Sequence, residues 1–226
     1  MADKIKLHPI TPHQKRIFEI ADLLRSGNIM LFPSDTQYAL GCVYDNKKGL
    51  DRIRTMRRLD SNHLFTLICD SLNGIARFAQ LSDDNFKLIK RLIPGPYTFV
   101  LPATKEVPRL LLNSKRKTVG FRVPDYPICE AIIKEIGSPL LAASAKLPED
   151  TMSGSSPEYP DDLFHLFDNL VDIVIDNEQP LNPSESTVID LTDSEPVIIR
   201  KGEGFERLDE VFATNNLTYR LEEVAS

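Results

Sequence analysis

Ser34, Asp35, Thr36 and Tyr38 set two hydroxyls, a carboxylate and a phenol almost side by side, and the small residues Ala39 and Gly41 follow. Just upstream, Ile29, Met30, Leu31 and Phe32 run without alternation and stop at Pro33. Such a run reads as a strand buried on both faces, ended by a residue that cannot donate to the ladder. Open α/β sheets bind ligands at strand ends, so this cluster is a candidate ligand site. Ser and Asp are also ordinary turn formers, and the cluster alone does not separate a pocket from a turn.

Other polar groups fall at or near the ends of expected strands: Thr66, Thr98, Arg122, Ser144, Ser186, Thr187 and Arg200, with Arg57 and Arg58 just before a strand. Arginines and hydroxyls are the charge-assisted donors that a phosphate or carboxylate needs. Each has a local alternative, a hydroxyl capping backbone or an arginine covering surface. Their joint position suggests an anion pocket at the sheet's edge. The chain carries no G-x-x-x-x-G-K-[ST] loop and no G-x-G-x-x-G fingerprint, so any nucleotide would bind without those motifs. It has no G-x-S-x-G elbow, and Ser144 has no evident histidine partner in the sequence, which argues against serine hydrolysis.

The elements that must position these groups alternate between helix and strand. Helices are predicted over 11–25 (Thr11 as cap, Pro12 as first residue), 45–57, 71–80, 82–92 capped by Ser82, 127–136 stopped by Gly137, and 160–169. Strands are predicted at 29–32, 64–69, 97–101, 119–123, 139–144, 171–176, 186–191 and 196–202, with a helical turn at 107–113. Residues 147–160 read as a mobile loop rich in turn formers. The pattern gives one α/β domain over residues 1–205 with a mixed sheet, and a short, partly helical tail over 206–226.

With 226 residues the chain can bury one sizeable α/β core or two small ones. No apolar stretch approaches the roughly 18 residues of a membrane span, and the first ten residues lack the apolar core of a signal peptide. Cys42, Cys69 and Cys129 are odd in number and widely spaced. They read as reduced core thiols of a cytoplasmic protein. The four histidines show no metal spacing. Net charge is −6, yet residues 47–58 and 105–122 each hold six Lys or Arg against one acid, and residues 149–199 hold thirteen acids and no Lys or Arg. A chain so divided can offer a basic face to a polyanion while staying acidic overall.

The ordered motifs P-S-D-T-Q-Y-A-L-G-C (33–42), P-G-P-Y-T-F-V-L (94–101), G-F-R-V-P (120–124), P-L-L-A-A-S-A (139–145), S-T-V-I-D-L (186–191) and I-I-R-K-G-E-G (198–204) together resemble the YrdC/YciO family. The resemblance implies a single YrdC/RibB-like domain, a twisted mixed parallel/antiparallel sheet flanked by helices with a concave, positive face. It also implies binding of ATP or another AMP-containing nucleotide, of L-threonine, and of tRNA or double-stranded RNA. The family activity makes threonylcarbamoyl-AMP from L-threonine, bicarbonate and ATP, with Mg²⁺ carried on the ATP, as donor for the threonylcarbamoyl modification of tRNA adenosine.

By position, the resemblance assigns Thr36 and Tyr38 to the threonine end, Ser144, Ser186 and Arg200 to the adenylate, and Arg57 to the phosphates. Two departures from the synthases stand out. Their Lys-x-Arg pair aligns with Arg57, Arg58 and Leu59, and their Ser-x-Asn with Ser144, Ala145 and Lys146, where a cation that cannot accept a hydrogen bond replaces an amide. The runs R-R-L-D-S-N-H-L-F-T-L and K-E-V-P-R-L-L-L-N-S-K-R-K-T are most similar to the YciO branch. The expected function is threonylcarbamoyl-AMP synthesis, with Arg57, Ser144 and Lys146 as catalytic candidates. Two alternatives remain open: hydrolysis of such an adenylate, with Lys146 favouring departure of AMP, and non-catalytic binding of structured RNA.

Overall fold

The computed structural model describes residues 1–60, 63–113, 115–148, 157 and 159–222. Among them, eleven strands form one mixed sheet in the order β1-β8-β2-β3-β7-β4-β6-β5-β9-β10-β11. The strands are β1 (Asp3–Lys6), β2 (Met30–Phe32), β3 (Ala39–Val43), β4 (Thr66–Ile68), β5 (Tyr97–Pro102), β6 (Thr118–Arg122), β7 (Leu140–Ser144), β8 (Ile173–Asp176), β9 (Thr187–Asp190), β10 (Val197–Arg200) and β11 (Arg220–Leu221). The helices are α1 (Gln14–Arg25), α2 (Lys47–Met56), α3 (Leu72–Phe78), α4 (Asp83–Leu92), α5 (Pro127–Ile136), α6 (Pro160–Phe167) and α7 (Phe205–Thr214).

Successive strand side chains point to opposite faces, and the helices divide accordingly. On one face α1 (Ile17, Ile20, Leu24) and α5 (Ile128, Cys129, Ile132, Ile133) pack on Ile5, Met30, Phe32, Ala39, Ile68, Leu140, Ala142, Ile173 and Ile175. The other face is covered by α2, α3, α4, α6 and α7 over residues such as Leu31, Leu40, Leu67, Phe99, Phe121, Leu141 and Ile189. Strands β6, β5 and β9 add nothing to the α1–α5 layer. On that side they carry Gly120, Arg122, Thr98 and Val188, and this half of the sheet, which neither α1 nor α5 covers, is where the polar groups converge.

Several expectations shift. Helix α1 starts at Gln14, with His13 as its uncapped N-cap. Thr11 does not cap it, because the His8 Nδ1 accepts from the backbone N–H groups of Ile10 and Thr11 and meets the Thr11 hydroxyl at 3.1 Å, tying Thr11 into the preceding turn. Strand β3 was not expected, since Ala and Gly are weak strand formers. It is nonetheless central, paired antiparallel to both β2 and β7, and Gly41 permits that approach: a Cβ there would lie 2.6 Å from the Phe32 ring and 3.0 Å from the Leu141 carbonyl. Strand β1 escaped because charged residues mask its pattern. Ser82 and Gly137 cap as expected, Ser82 accepting from the Asn85 N–H and Gly137 taking a left-handed φ of 74°. Beyond residue 205, α7 buries Leu208 and Phe212 in the core. The expected loop at 147–160 lies mostly outside the described residues.

The acidic segment pairs with the basic ones. Arg52 of α2 meets Asp172 at 2.6 Å, and Arg116 meets Asp190 at 2.7 Å. The two basic segments also touch, where the Arg54 Nη2 donates to the Leu110 carbonyl at 3.2 Å.

Candidate functional site

A cavity of about 190 Å³ opens on the half of the sheet that α1 and α5 leave uncovered. Of the candidates, Thr36, Tyr38, Thr66, Thr98, Arg122, Ser144, Ser186 and Arg200 line it. They come from the ends of six strands and from the turn after β2. Since β7, β4, β6, β5, β9 and β10 are consecutive in the sheet, their far-apart sequence positions meet.

Ser34 shapes the turn. Its hydroxyl donates to the Gln37 carbonyl at 2.9 Å and accepts from the Thr36 N–H at 3.2 Å, which fixes Thr36 nearly buried against the cavity. The Gln37 N–H donates to the Ser184 carbonyl and the Ala145 N–H to the Tyr38 carbonyl, so the turn is stitched to the segments before β9 and after β7. The Tyr38 hydroxyl donates to the Asn177 Oδ1 at 2.8 Å, and burial pushes its pKa up.

Asp35 sits behind the cavity wall and accepts from the Arg122 Nη2 at 2.6 Å and from the Asp125 N–H at 3.0 Å. Both charged side chains are only 10 % exposed. Burial raises the Asp35 pKa, and the opposing pull of Arg122 does not bring it back to the ordinary carboxylate value.

At the mouth, one chain of polar contacts links β5, β9, β10 and the end of β7. The Thr98 and Ser186 hydroxyls share a bond of 2.9 Å, and the Arg200 Nη2 donates to the Ser186 Oγ at 3.1 Å. Arg200 pairs with Glu185 at 2.8 Å, and Glu185 pairs with Lys146 at 2.5 Å. Burial pushes the Glu185 carboxyl up, but the hydrogen bond from Lys146 and the charges of Arg200 and Lys146 outweigh it and hold the group below its ordinary value. Beside them, Arg57 donates through Nη1 to the Ser144 Oγ at 3.0 Å and to the Ser144 carbonyl.

Four candidates do not line the cavity. Arg57 stands behind Ser144, and Lys146 stands behind Glu185. Arg58 begins the turn after α2 with a left-handed φ of 48°. Thr187 points to the opposite face from Ser186, as adjacent strand residues must. It is fully buried, donates to the Glu203 carbonyl at 2.9 Å and accepts from the Gly202 N–H at 3.1 Å, and so it braces the β9–β10 connection. Ser34, part of the cluster read as a candidate ligand site, lines the cavity too, as do residues not singled out beforehand, among them Gln37, His63 and Leu64. His63 sits in a run with no catalytic signature, and only the path of the chain brings it here.

A model of the Sua5/YciO/YrdC family, described as "Telomere recombination", matches residues 22–202. The chain belongs to the Sua5/YciO/YrdC family. The protein YciO of Escherichia coli K12 is 39 % identical over 204 residues, covering 90 % of this chain and 97 % of that protein. Its crystal structure superposes with a TM-score of 0.83 at 38 % identity over the same shares of the two chains. The threonylcarbamoyl-AMP synthase of Bacillus subtilis is 30 % identical over 85 % of this chain and 55 % of its own length, so the chain spans little more than half of that enzyme. The P. abyssi Sua5 complexed with L-threonine gives a TM-score of 0.82 at 26 % identity, covering 98 % of this chain and 62 % of that one. Family and mixed-sheet fold thus agree with the motifs read from the sequence, including the likeness to YciO.

Proposed function

We propose that the cavity binds L-threonine and ATP and that the protein acts in threonylcarbamoyl-AMP chemistry. The observation that carries this reading is the ring of cations and hydroxyls at the cavity mouth: Arg57 with Ser144, Lys146 and Arg200 on either side of Glu185, and Ser186 bonded to Thr98. Arg57, Arg122, Lys146 and Arg200 gather cationic groups around the cavity, the charge that an anionic ligand needs. A cavity of about 190 Å³ suits an amino acid; drug-sized ligands fill ~300–1,000 Å³, so the nucleotide would lie across the open mouth. The L-threonine complex of the P. abyssi relative supports the same ligand class.

In the reaction, the threonine amine takes up carbon dioxide from bicarbonate to form a carbamate. A carbamate oxygen then attacks the α-phosphorus of ATP, and pyrophosphate leaves. Cations around the phosphates stabilise that transfer, Mg²⁺ arriving with the nucleotide as part of the substrate. Arg57 and Arg200 would serve the phosphates, with Ser144 and Ser186 as hydroxyl donors.

One observation favours a second reading. Lys146 is held by Glu185 and not offered to a triphosphate, which suits hydrolysis of a threonylcarbamoyl adenylate, Lys146 assisting departure of AMP. The contact between the two basic segments supports binding of tRNA or double-stranded RNA, which links either reaction to tRNA modification. The three unpaired thiols, all buried, suit a reducing cytoplasmic setting.

The test is a mass-spectrometric assay with purified protein, ATP, L-threonine, bicarbonate and Mg²⁺. Threonylcarbamoyl-AMP with equimolar pyrophosphate is the expected result. No product, under conditions where a known synthase makes it, overturns synthesis; supplying the adenylate and finding AMP released would then establish hydrolysis.

A further inference from the structure

Among the described residues lining the cavity, His63 is the one side chain whose ordinary titration range spans neutrality. Its ring meets Phe65 edge-on at 5.2 Å, and its backbone N–H donates to the Asp60 carbonyl at 3.3 Å. Neither ring nitrogen bonds to a described residue, so the imidazole is positioned by packing and keeps both nitrogens for what enters the cavity. Burial, together with the nearby guanidiniums of Arg57, the C-cap of α2, and Arg54, within that helix, lowers its pKa against the opposing pull of Asp60. The other charges lining the cavity are those of Arg122, paired with Asp35, and Arg200, paired with Glu185. An unprotonated imidazole is therefore available at neutral pH.

Other groups near the cavity are poor proton acceptors. The Tyr38 hydroxyl is bonded to Asn177. Asp35 is engaged by Arg122 and the Asp125 N–H. Glu185 is clamped between two cations.

We infer that His63 is the general base that takes a proton from the ammonium group of the bound amino acid, an assignment that rests on the threonylcarbamoyl-AMP synthesis proposed above. An ammonium has no lone pair and cannot form a carbamate. In the step, one N–H bond of threonine breaks, its electron pair stays on nitrogen, and the proton goes to the free imidazole nitrogen. The nitrogen pair then attacks the carbon of carbon dioxide supplied by bicarbonate. A C–N bond forms, one C=O pair moves onto oxygen, and the second nitrogen proton leaves to solvent. The carbamate so formed is the nucleophile toward ATP.

The test measures threonylcarbamoyl-AMP formation from pH 5 to 8 for the wild type, His63→Gln and His63→Asn, with and without added imidazole. The wild-type kcat is expected to rise along an acid limb centred below the ordinary histidine value of 6.5. The variants should lose about 100-fold in kcat, keep KM for threonine within about threefold, lose the acid limb, and regain about tenfold with imidazole. Variants that keep more than about a third of the wild-type kcat, or folded variants that ignore imidazole, overturn the assignment. If neither variant folds, the wild-type profile decides, and the absence of an acid limb overturns it. Wild-type protein that makes no product removes both the synthase reading and this one, whereas turnover retained in the variants removes only this one.

Discussion

Removing Arg122 and neutralising Asp35 should have very different consequences. The two side chains meet at 2.6 Å with 10 % of each exposed, yet the Asp35 pKa is raised, so burial outweighs the attraction of its partner. The fold therefore gains little from the ionised pair itself. Arg122→Met takes away the attraction and leaves a buried carboxylate, a change of the kind that costs about 3–5 kcal/mol. For a chain of this size roughly 2–4 °C of Tm accompanies each kcal/mol, so a fall of about 6–20 °C is expected near pH 7. Asp35→Asn also takes the counter-charge from the buried Arg122, but it keeps an amide oxygen to accept from the Nη2, and the raised Asp35 pKa means that burial already favours a neutral group at this position; its loss should be the smaller, about 1 kcal/mol.

The pH dependence follows from the direction of the shift. A carboxyl with a raised folded pKa binds more protons in the native state, so its contribution to stability falls as pH rises from the ordinary value of 3.8 through the folded value. In Arg122→Met the folded pKa climbs further, so the deficit is full above it and shrinks as pH falls toward 3.8. Urea unfolding of the three proteins at pH 7.5 and 4.5 measures this. Equal losses from both substitutions, or an Arg122→Met deficit unchanged between the two pH values, would refute the reasoning.

Three further outcomes are expected. Glu185→Gln frees Lys146 and Arg200 and should tighten ATP binding roughly fivefold in titration calorimetry. It should also remove an acid-side loss of stability, because a carboxyl with a lowered folded pKa stabilises the fold above its ordinary value of 4.5 and loses that as pH falls through the folded value. Gly202→Ala would drive a Cβ into the Glu185 carbonyl and to 2.5 Å from the Ser186 backbone; a loss of about 1–3 kcal/mol in denaturant unfolding is expected, together with weakened ATP binding. Ser82→Ala removes the cap of α4, far from the cavity, and should cost about 1 kcal/mol in the same unfolding assay while leaving nucleotide binding unchanged.

Much of the sheet was legible because its strands are short apolar runs bounded by Gly, Pro and polar residues. Strand β3 was hidden by Ala39 and Gly41, whose small size serves close packing beside Phe32 and Leu141. The residues meeting at the cavity were legible one by one as hydroxyls and arginines at strand ends. Their mutual partners were not, because side-chain period tells which face a residue takes but not which strands adjoin. Thus Thr187 looked equivalent to Ser186 until the pleat turned it away. Lys146 looked like a free cation until Glu185 was brought to it across the sheet. His63 gave no signal, since a lone histidine acquires meaning only from what the fold places beside it.

The most direct test of the ligand assignment is titration calorimetry of L-threonine and ATP into the wild type and into Ser144→Ala and Arg200→Met. The account predicts saturable binding of both ligands to the wild type, with ATP weakened about tenfold or more in the variants, as expected for loss of hydrogen bonds to charged phosphates. Absence of binding to the wild type, or ATP affinities that both substitutions leave unchanged, would contradict it.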